Sequence, residues 1–220
     1  MIVQRTSLLS GAREARGTAV VIDVFRAFTS AAFCVAAGAR EIVLVATPEQ
    51  AFALKAADPS VFLTGEVGGR PIRGFDAGNS PSALEHLDLT GRRVVQRSTS
   101  GTQGVIAAAR ADRIVLGSFV TATATSRLVA GDELVTLVAM GDGGTSPCPE
   151  DELCAAYLEL LLRGERIDPA PMLSQLRFER NWPDWFPRRD AELACEVDRF
   201  AFALPVVREA GLLVARPSPA

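Results

Sequence analysis

The sequence predicts an α/β fold in which a mainly parallel or mixed β-sheet is covered by helices. Short apolar runs rich in β-branched residues recur along the 220 residues, and stretches with helical spacing alternate with them. This alternation is typical of parallel sheets with helices packed on their faces. Hydrophobic residues make up 48% of the chain and charged residues 22%, which is ordinary for a globular protein and too apolar for a disordered one.

The apolar runs have the length of buried strands, about four to six residues. They predict strands over residues 19–24, 41–46, 61–64, 93–96, 113–117 and 134–139. The stretches between and after them predict helices over residues 27–37, 48–57, 80–87, 102–109, 121–129, 150–163 and 191–203. Pro48 with Glu49 is favourable chemistry for a helix start. A short apolar run, residues 211–215, closes the chain.

The length predicts one domain over residues 1–220. Residues 20–45 and 94–117 resemble each other as strand, polar loop, Ala-rich helix and strand. This weak internal repeat favours two similar α/β lobes, divided near residues 1–90 and 91–220. The polar loops would lie at the carboxyl ends of the strands, where open α/β sheets bind ligands.

Scarce residue types exclude several functions. With one histidine, His86, the chain cannot build a metal site from a histidine pair. The net charge of −3 argues against nucleic-acid binding, and the absence of a long apolar stretch argues against a membrane span. Four cysteines without a CxxC pair, and no secretory signal, favour a cytoplasmic protein with free thiols. Cys34 and Arg40 match cysteine-phosphatase spacing, but Cys34 lies in an apolar predicted helix, unlike a reactive thiolate.

Four polar clusters follow or precede the predicted strands and helices. Asp23 and Arg26 come directly after the first strand, where a carboxylate can bind a metal or attack phosphorus and an Arg can hold a phosphate. Haloacid-dehalogenase phosphatases have a second Asp where this chain has Phe25, so their acid–base residue is missing. The second cluster is a Gly-rich loop, whose backbone can approach a ligand closely; it supplies Glu66, Arg73, Asp76, Asn79 and Ser80. The third is a Ser/Thr-rich loop able to bind anions; it supplies Arg97, Ser98, Thr99, Ser100, Gly101 and Thr102. The fourth is an acidic helix start, which supplies Glu150 and Asp151.

Together the clusters combine several carboxylates with several anion-binding groups, and no Cys or His is placed to act as the nucleophile. This combination favours Mg²⁺-assisted chemistry on a phosphate ester, because Mg²⁺ prefers oxygen ligands and keeps several waters. Two other interpretations remain: a non-catalytic protein that binds a phosphorylated metabolite, and a metal-dependent lyase or isomerase acting on a related hydroxy acid.

The clusters, in this order, resemble the 2-phosphosulfolactate phosphatase family. The matching pieces are VVIDVFRA (20–27), TGE (64–66), GFDAGNSP (74–81), STSGT (98–102), VLGSF (115–119) and EDELCA (150–155). The resemblance implies Mg²⁺-dependent hydrolysis of 2-phosphosulfolactate to sulfolactate and phosphate, a step towards coenzyme M, in a site between two similar lobes. The chain carries Val67 where the family often has an arginine, so a similar anionic 2-phosphohydroxy acid is an alternative substrate.

On this basis we expect Asp23, Glu66, Glu150 and Asp151 to bind the metal, and Asp23, Arg26 and Glu66 to be the catalytic residues. Arg26 and residues 98–102 would hold the phosphoryl group. Asn79 and Ser80, with Arg73 or Arg97, would orient the carboxylate or sulfonate end. Two roles stay open: Asp23 as nucleophile or only as ligand, and Asp76. The Trp-bearing residues 178–190 are expected to be irregular, serving as a lid, a homodimer contact or simple packing.

Overall fold

The computed structural model describes residues 1–176 and 185–219, and it confirms the predicted α/β class. The strands are β1 Ile2–Ser7, β2 Thr18–Ile22, β3 Glu41–Leu44, β4 Phe62–Val67, β5 Arg70–Pro71, β6 Arg93–Arg97, β7 Arg113–Gly117, β8 Leu134–Ala139, β9 Phe202–Glu209, β10 Leu212–Ala215 and β11 Ser218–Pro219. The helices are α1 Leu8–Glu14, α2 Ala27–Ala36, α3 Pro48–Ala57, α4 Pro81–Leu84, α5 Gly101–Ala107, α6 Ala122–Val129, α7 Pro149–Leu162, α8 Ala170–Leu173 and α9 Arg188–Ala194, with a 3₁₀ turn at Phe119–Thr121. In the described ranges no helix is long and apolar enough to cross a membrane.

The strands form one mixed sheet in the order β1-β8-β2-β7-β9-β10-β3-β6-β4-β5, with β11 paired to β9. Strands β1, β8, β2 and β7 are mutually parallel, and so are β3, β6 and β4. We call these the first and the second parallel block. The antiparallel hairpin β9–β10 joins them, pairing with β7 on one side and β3 on the other.

Because three antiparallel steps separate β7 from β3, the two parallel blocks run in opposite senses along the sheet. In a flat sheet their carboxyl ends would lie at opposite edges. A twist of roughly 20–25° per strand pair over the five steps from β2 to β6 amounts to about 100–125°. The strands of the two blocks then cross, and the carboxyl ends of β2 and β6 can meet.

Helices cover both faces of the first parallel block. Alternate residues of β2 point to opposite faces, so Val21 packs with residues of α1, α2 and α5, whereas Val20 and Ile22 pack with residues of α6 and α7. Helix α3 covers the second parallel block, where Val43, Leu63 and Val95 are buried. Helix α2 is apolar and almost fully enclosed, which fixes the loop before it, where the candidate site begins.

The predicted elements up to residue 163 all occur, with most bounds shifted by one to three residues. The helix predicted over residues 191–203 is wrong in extent: α9 ends at Ala194 and the chain enters β9 at Phe202. Strand β9 was missed because Pro205 interrupts its apolar pattern, and only its position between β7 and β10 makes it a strand. Strand β1 was missed because, as an edge strand with exposed Gln4 and Arg5, it lacks a continuous apolar run.

Candidate active site

A pocket of about 440 Å³ lies where the loops after β2, β6 and β8 meet the end of β4. Its volume is within the range of roughly 300–1,000 Å³ that small-molecule sites have. The start of α7 and the residues before α9 complete the wall. The polar side chains that line the pocket are Asp23, Arg26, Glu66, Asn79, Thr99, Ser100, Asp142, Cys148, Glu150 and Asp151.

Asp23 is the first residue after β2 and is buried. Its Oδ1 accepts a hydrogen bond of 2.9 Å from the Ala27 backbone N–H, and the Gly101 N–H also donates to the carboxylate. Burial, together with the nearby charges of Glu66 and Glu150, raises the pKa of Asp23 to about 7 in spite of these donors. The Asp23 carboxylate is therefore held in one orientation, and no cationic side chain is paired with it among the described residues.

Asp151, in the first turn of α7, is a second enclosed carboxylate. Its Oδ1 accepts from the Val24 N–H at 2.7 Å and its Oδ2 from the Gly141 N–H at 2.8 Å. These bonds tie α7 to the loops after β2 and β8. Burial raises the pKa of Asp151 well above its ordinary value, and the charges of Asp23 and Glu150 act in the same direction.

Glu66, at the end of β4, connects two loops of the second parallel block. Its carboxylate accepts from the Thr99 N–H, from Thr99 Oγ1 at 2.9 Å and from the Gly69 N–H at 2.6 Å. The Gly-rich loop and the Ser/Thr-rich loop are thereby fastened to one side chain. Glu150, buried beside Asp151 at the start of α7, is the fourth buried carboxylate of the pocket, and Asp142 is an exposed fifth.

Residues 98–102 place two hydroxyls in the pocket and hide two behind it. Thr99 and Ser100 line the pocket, and Ser100 Oγ donates to the Gly141 carbonyl at 2.6 Å. Ser98 and Thr102 bond to each other, Thr102 N–H donating to Ser98 Oγ at 2.9 Å, which braces the loop. Gly101 is required by space, since a Cβ there would lie 2.7 Å from Asp23 Oδ2.

Arg26 lines the pocket, but part of its guanidinium is engaged by the protein. Nη1 donates to Asp190 Oδ2 at 2.7 Å, and both side chains are almost completely buried. The guanidinium carbon lies 4.2 Å from the centre of the Phe186 ring and 5.9 Å from that of Trp185. A guanidinium carries five N–H groups, so donors remain for a ligand.

The other predicted substrate-binding residues are placed differently from one another. Asn79 lines the pocket, and its Oδ1 accepts from Gln96 Nε2 at 3.1 Å. Ser80 Oγ donates to Asp190, outside the pocket lining. Arg97 donates to the Glu66 carbonyl at 2.7 Å and supports the pocket from behind, while Arg73 is exposed and away from it.

The structure also shows the surroundings of Asp76, whose role the sequence left open, and of Cys34 and His86, which the sequence did not favour as catalytic residues. Asp76 binds Lys55 and the Leu63 N–H; these contacts lower its pKa although partial burial opposes them. Burial raises the pKa of Cys34 to about 12, which agrees with its rejection as a nucleophile. His86 is exposed beside Glu85 and does not line the pocket.

Sequence reasoning missed four residues of the site region: Cys148, Trp185, Phe186 and Asp190. Cys148 precedes α7, and burial and the charge of Asp151 raise its pKa, so its thiol stays protonated. Trp185 and Phe186 belong to the segment predicted to be irregular, of which residues 177–184 lie outside the described residues. Two tryptophans in one short segment were the available signal. For Asp190 the sequence showed only an acid near a helix start.

The donor set of the pocket fits a hard divalent cation. The four buried carboxylates supply only oxygen, and Asp23 Oδ1 and both oxygens of Asp151 each accept one N–H in the hydrogen bonds described above and keep a further lone pair. Among residues 1–176 and 185–219, no three Asp, Glu, His or Cys side chains are gathered closely enough to hold an ion by themselves. Mg²⁺ commonly binds one or two carboxylates, waters and substrate phosphate oxygens, a requirement that Asp23 and Asp151 suit.

The fold and the pocket define an α/β protein with a carboxylate-rich site for a small molecule. The chain belongs to the 2-phosphosulpholactate phosphatase family, whose model matches residues 4–179. This confirms the resemblance that the sequence motifs indicate.

Three relatives, each named a probable 2-phosphosulfolactate phosphatase, show the extent of the similarity. The Bacillus subtilis protein is 36% identical over 152 residues, 67% of this chain and 65% of the relative. The Deinococcus radiodurans protein is 43% identical over 129 residues, 57% of this chain and 54% of the relative. The Thermoplasma acidophilum protein is 31% identical over 180 residues, 81% of either chain. The chain thus spans between about half and two thirds of the first two relatives.

Proposed function

We propose that this protein is a Mg²⁺-dependent phosphatase that hydrolyses 2-phosphosulfolactate, or a similar anionic 2-phosphohydroxy acid, to the hydroxy acid and phosphate. One observation carries the proposal: buried carboxylates whose charge is not compensated line the same pocket as a hydroxyl-rich loop. The relatives are named for the same activity, and the coenzyme M route is the biosynthetic setting that the family resemblance implies.

The charge of the pocket supports a bound cation. Arg26 is the one cationic side chain among the described lining residues, and its charge is paired with Asp190. Burial raises the pKa of both Asp23 and Asp151, and the charges of the neighbouring carboxylates add to the rise. A bound Mg²⁺ would neutralise phosphate charge and lower the pKa of its water ligands. Asp23 and Asp151 are the residues that would hold it, and water and substrate oxygens would complete its coordination. Glu150 and Glu66, the other two carboxylates expected from the sequence to bind the metal, would add negative charge to the pocket.

The remaining groups bind and orient the substrate. The free N–H groups of Arg26 would donate to the phosphoryl oxygens. The Thr99 and Ser100 hydroxyls also face the pocket, and each would donate to the substrate by turning its single proton away from Glu66 or from the Gly141 carbonyl. The amide of Asn79 would orient the sulfonate or carboxylate end. Phe186 is buried and Trp185 partly so, and their rings limit access of water from that side.

The test is a phosphate-release screen over 2-phosphosulfolactate and related phosphorylated acids, with Mg²⁺ or with EDTA. We expect turnover that depends on Mg²⁺ and is lost in Asp23→Asn. Asp112→Asn is the matched control, because Asp112 is exposed at the amino end of β7, opposite the pocket. Binding without phosphate release would support the metabolite-binding alternative, and conversion without phosphate release the lyase or isomerase alternative. An Asp23→Asn rate within about twofold of wild type would refute the assignment of Asp23.

A further inference from the structure

Asp190 is a fully buried carboxylate outside the pocket, and its two oxygens serve different parts of the fold. It lies in the first turn of α9 with 0% of its surface exposed. Oδ1 accepts from Ser80 Oγ at 2.8 Å, Ser82 N–H at 3.0 Å and Ser82 Oγ at 2.6 Å. Oδ2 accepts from Arg26 Nη1 at 2.7 Å. Three donors at the start of α4 therefore fix Oδ1 and aim Oδ2 at Arg26.

The surroundings of Arg26 complete a rigid holder. The Phe186 ring lies under the guanidinium, and the carbonyls of Trp185 and Gly69 accept from Nη1 and Nη2 at 3.3 and 3.4 Å. Arg26 is 5% exposed, although a long cationic side chain normally reaches water. Such a side chain loses rotamer entropy when it is ordered. Because Arg26 is already ordered in the protein, this loss does not have to be repeated when a ligand binds.

We propose that Asp190 is a positioning residue that holds the Arg26 guanidinium so that its remaining N–H groups point at the phosphoryl group; this inference rests on the proposed function. A buried ion pair is weak support for stability alone, because apolar packing often replaces it without loss. A fixed guanidinium, in contrast, binds a phosphate with little further ordering. Asp190 follows the end of the family match at residue 179, whereas Arg26 lies inside the matched segment.

The experiment compares Asp190→Asn, Arg26→Gln and the double variant with wild type, using kcat and KM for 2-phosphosulfolactate and the dissociation constant of inorganic phosphate. In Asp190→Asn the amide keeps the Oδ1 contacts but cannot pair with the Arg26 charge. Loss of a charge-assisted hydrogen bond corresponds to about 10- to 100-fold. We therefore expect KM and the phosphate dissociation constant to rise by that factor. A purely structural role would lower the active fraction and kcat, leaving both constants unchanged.

Ser82→Ala is the matched control, since it removes one donor to Oδ1 and leaves Oδ2 facing Arg26. We expect its KM and phosphate dissociation constant to stay within twofold of wild type. In the Arg26→Gln background, Asp190→Asn should change neither constant by more than twofold, because Asp190 acts through Arg26. This comparison also serves if Asp190→Asn alone fails to fold, because the double variant leaves no buried charge unpaired.

Two results would overturn the inference: equal shifts in Ser82→Ala and Asp190→Asn, or a further tenfold loss of phosphate binding on adding Asp190→Asn to Arg26→Gln. Wild-type protein that binds phosphate without hydrolysing the ester would refute the proposed function, while the phosphate constants would still test Asp190. If the wild-type protein neither binds phosphate nor hydrolyses the ester, Arg26 has no anion to hold. That result would overturn the proposed function and this inference together.

Discussion

Replacing Asp23 with Asn should abolish turnover and, at alkaline pH without metal, stabilise the protein. The pKa of Asp23 is raised from 3.8 to about 7 by burial and by neighbouring carboxylates. A group with a raised pKa contributes stability below its unfolded value, and this contribution is lost as pH rises through the folded value. The difference corresponds to about 4 kcal/mol lost between pH 4 and pH 8, at 1.36 kcal/mol per unit.

Asparagine removes this penalty at the expense of one contact. Its Oδ1 can still accept from the Ala27 N–H, but its amide nitrogen cannot accept from the Gly101 N–H, which costs about 1 kcal/mol. The net gain at pH 8 is about 3 kcal/mol, or roughly 6–12 °C in Tm for a domain of this size. At pH 5 only about 1.6 kcal/mol of the contribution has been lost, so the gain should fall below about 1 kcal/mol.

The assay is urea unfolding of wild type and Asp23→Asn between pH 5 and pH 8.5 in EDTA, with phosphate release measured in parallel. Asp76→Asn is a control of opposite sign: its carboxyl has a lowered pKa through the Leu63 N–H and Lys55, which outweigh partial burial, so the substitution should destabilise at neutral pH. Mg²⁺ at pH 8 should stabilise wild type more than Asp23→Asn. A stability difference that is the same at pH 5 and pH 8 would refute the electrostatic reasoning.

Three further substitutions test other parts of the site. Gly101→Ala places a methyl 2.7 Å from Asp23 Oδ2 and should lower kcat more than tenfold. An unchanged kcat in steady-state assays would show that the loop can move to accommodate the methyl group without disturbing Asp23. Glu66→Gln keeps one acceptor for three donors and should lower kcat/KM about 100-fold, checked with the phosphate-release assay; a loss below threefold would contradict the fastening role of Glu66. His86→Ala should change kcat/KM less than twofold, since His86 is exposed and outside the pocket lining; a tenfold loss would restore histidine to the mechanism.

How far the sequence could predict the site depends on the range of the contacts involved. Asp23, Glu66 and Thr99 each follow or end a buried strand, and strand periodicity with flanking polar residues is a local signal. Asp190 offers no comparable signal, because an acid in the first turn of a helix is common for dipole reasons. Its role depends on Arg26, 164 residues away, and on the burial of both side chains.

The same reasoning applies to the sheet. Alternating strands and helices predict parallel pairs, and those pairs form the two blocks. The sequence contains no comparable sign that the carboxyl-terminal hairpin β9–β10 inserts between the blocks and reverses their relative direction. Pro205 within β9 and the polar end of that strand hide it from a periodicity argument. What the sequence could not predict is therefore the arrangement that joins the two blocks of parallel strands.

That arrangement explains why the candidate site needs contacts between the blocks. The first parallel block supplies Asp23 and the Arg26 loop, while the second supplies Glu66 and the Ser/Thr-rich loop. Ser100, bonded to the Gly141 carbonyl, crosses from the second block to the first. Asp190 crosses as well, because Oδ1 holds the start of α4 beyond β4 and Oδ2 holds Arg26 beyond β2. Such crossing side chains help to set the distance between the carboxylates and the phosphate-binding groups. The blocks also share one hydrophobic core cluster, which contains Val21 of the first and Val94 of the second. A substitution at Asp190 should therefore act on substrate binding more than on the fold of either block.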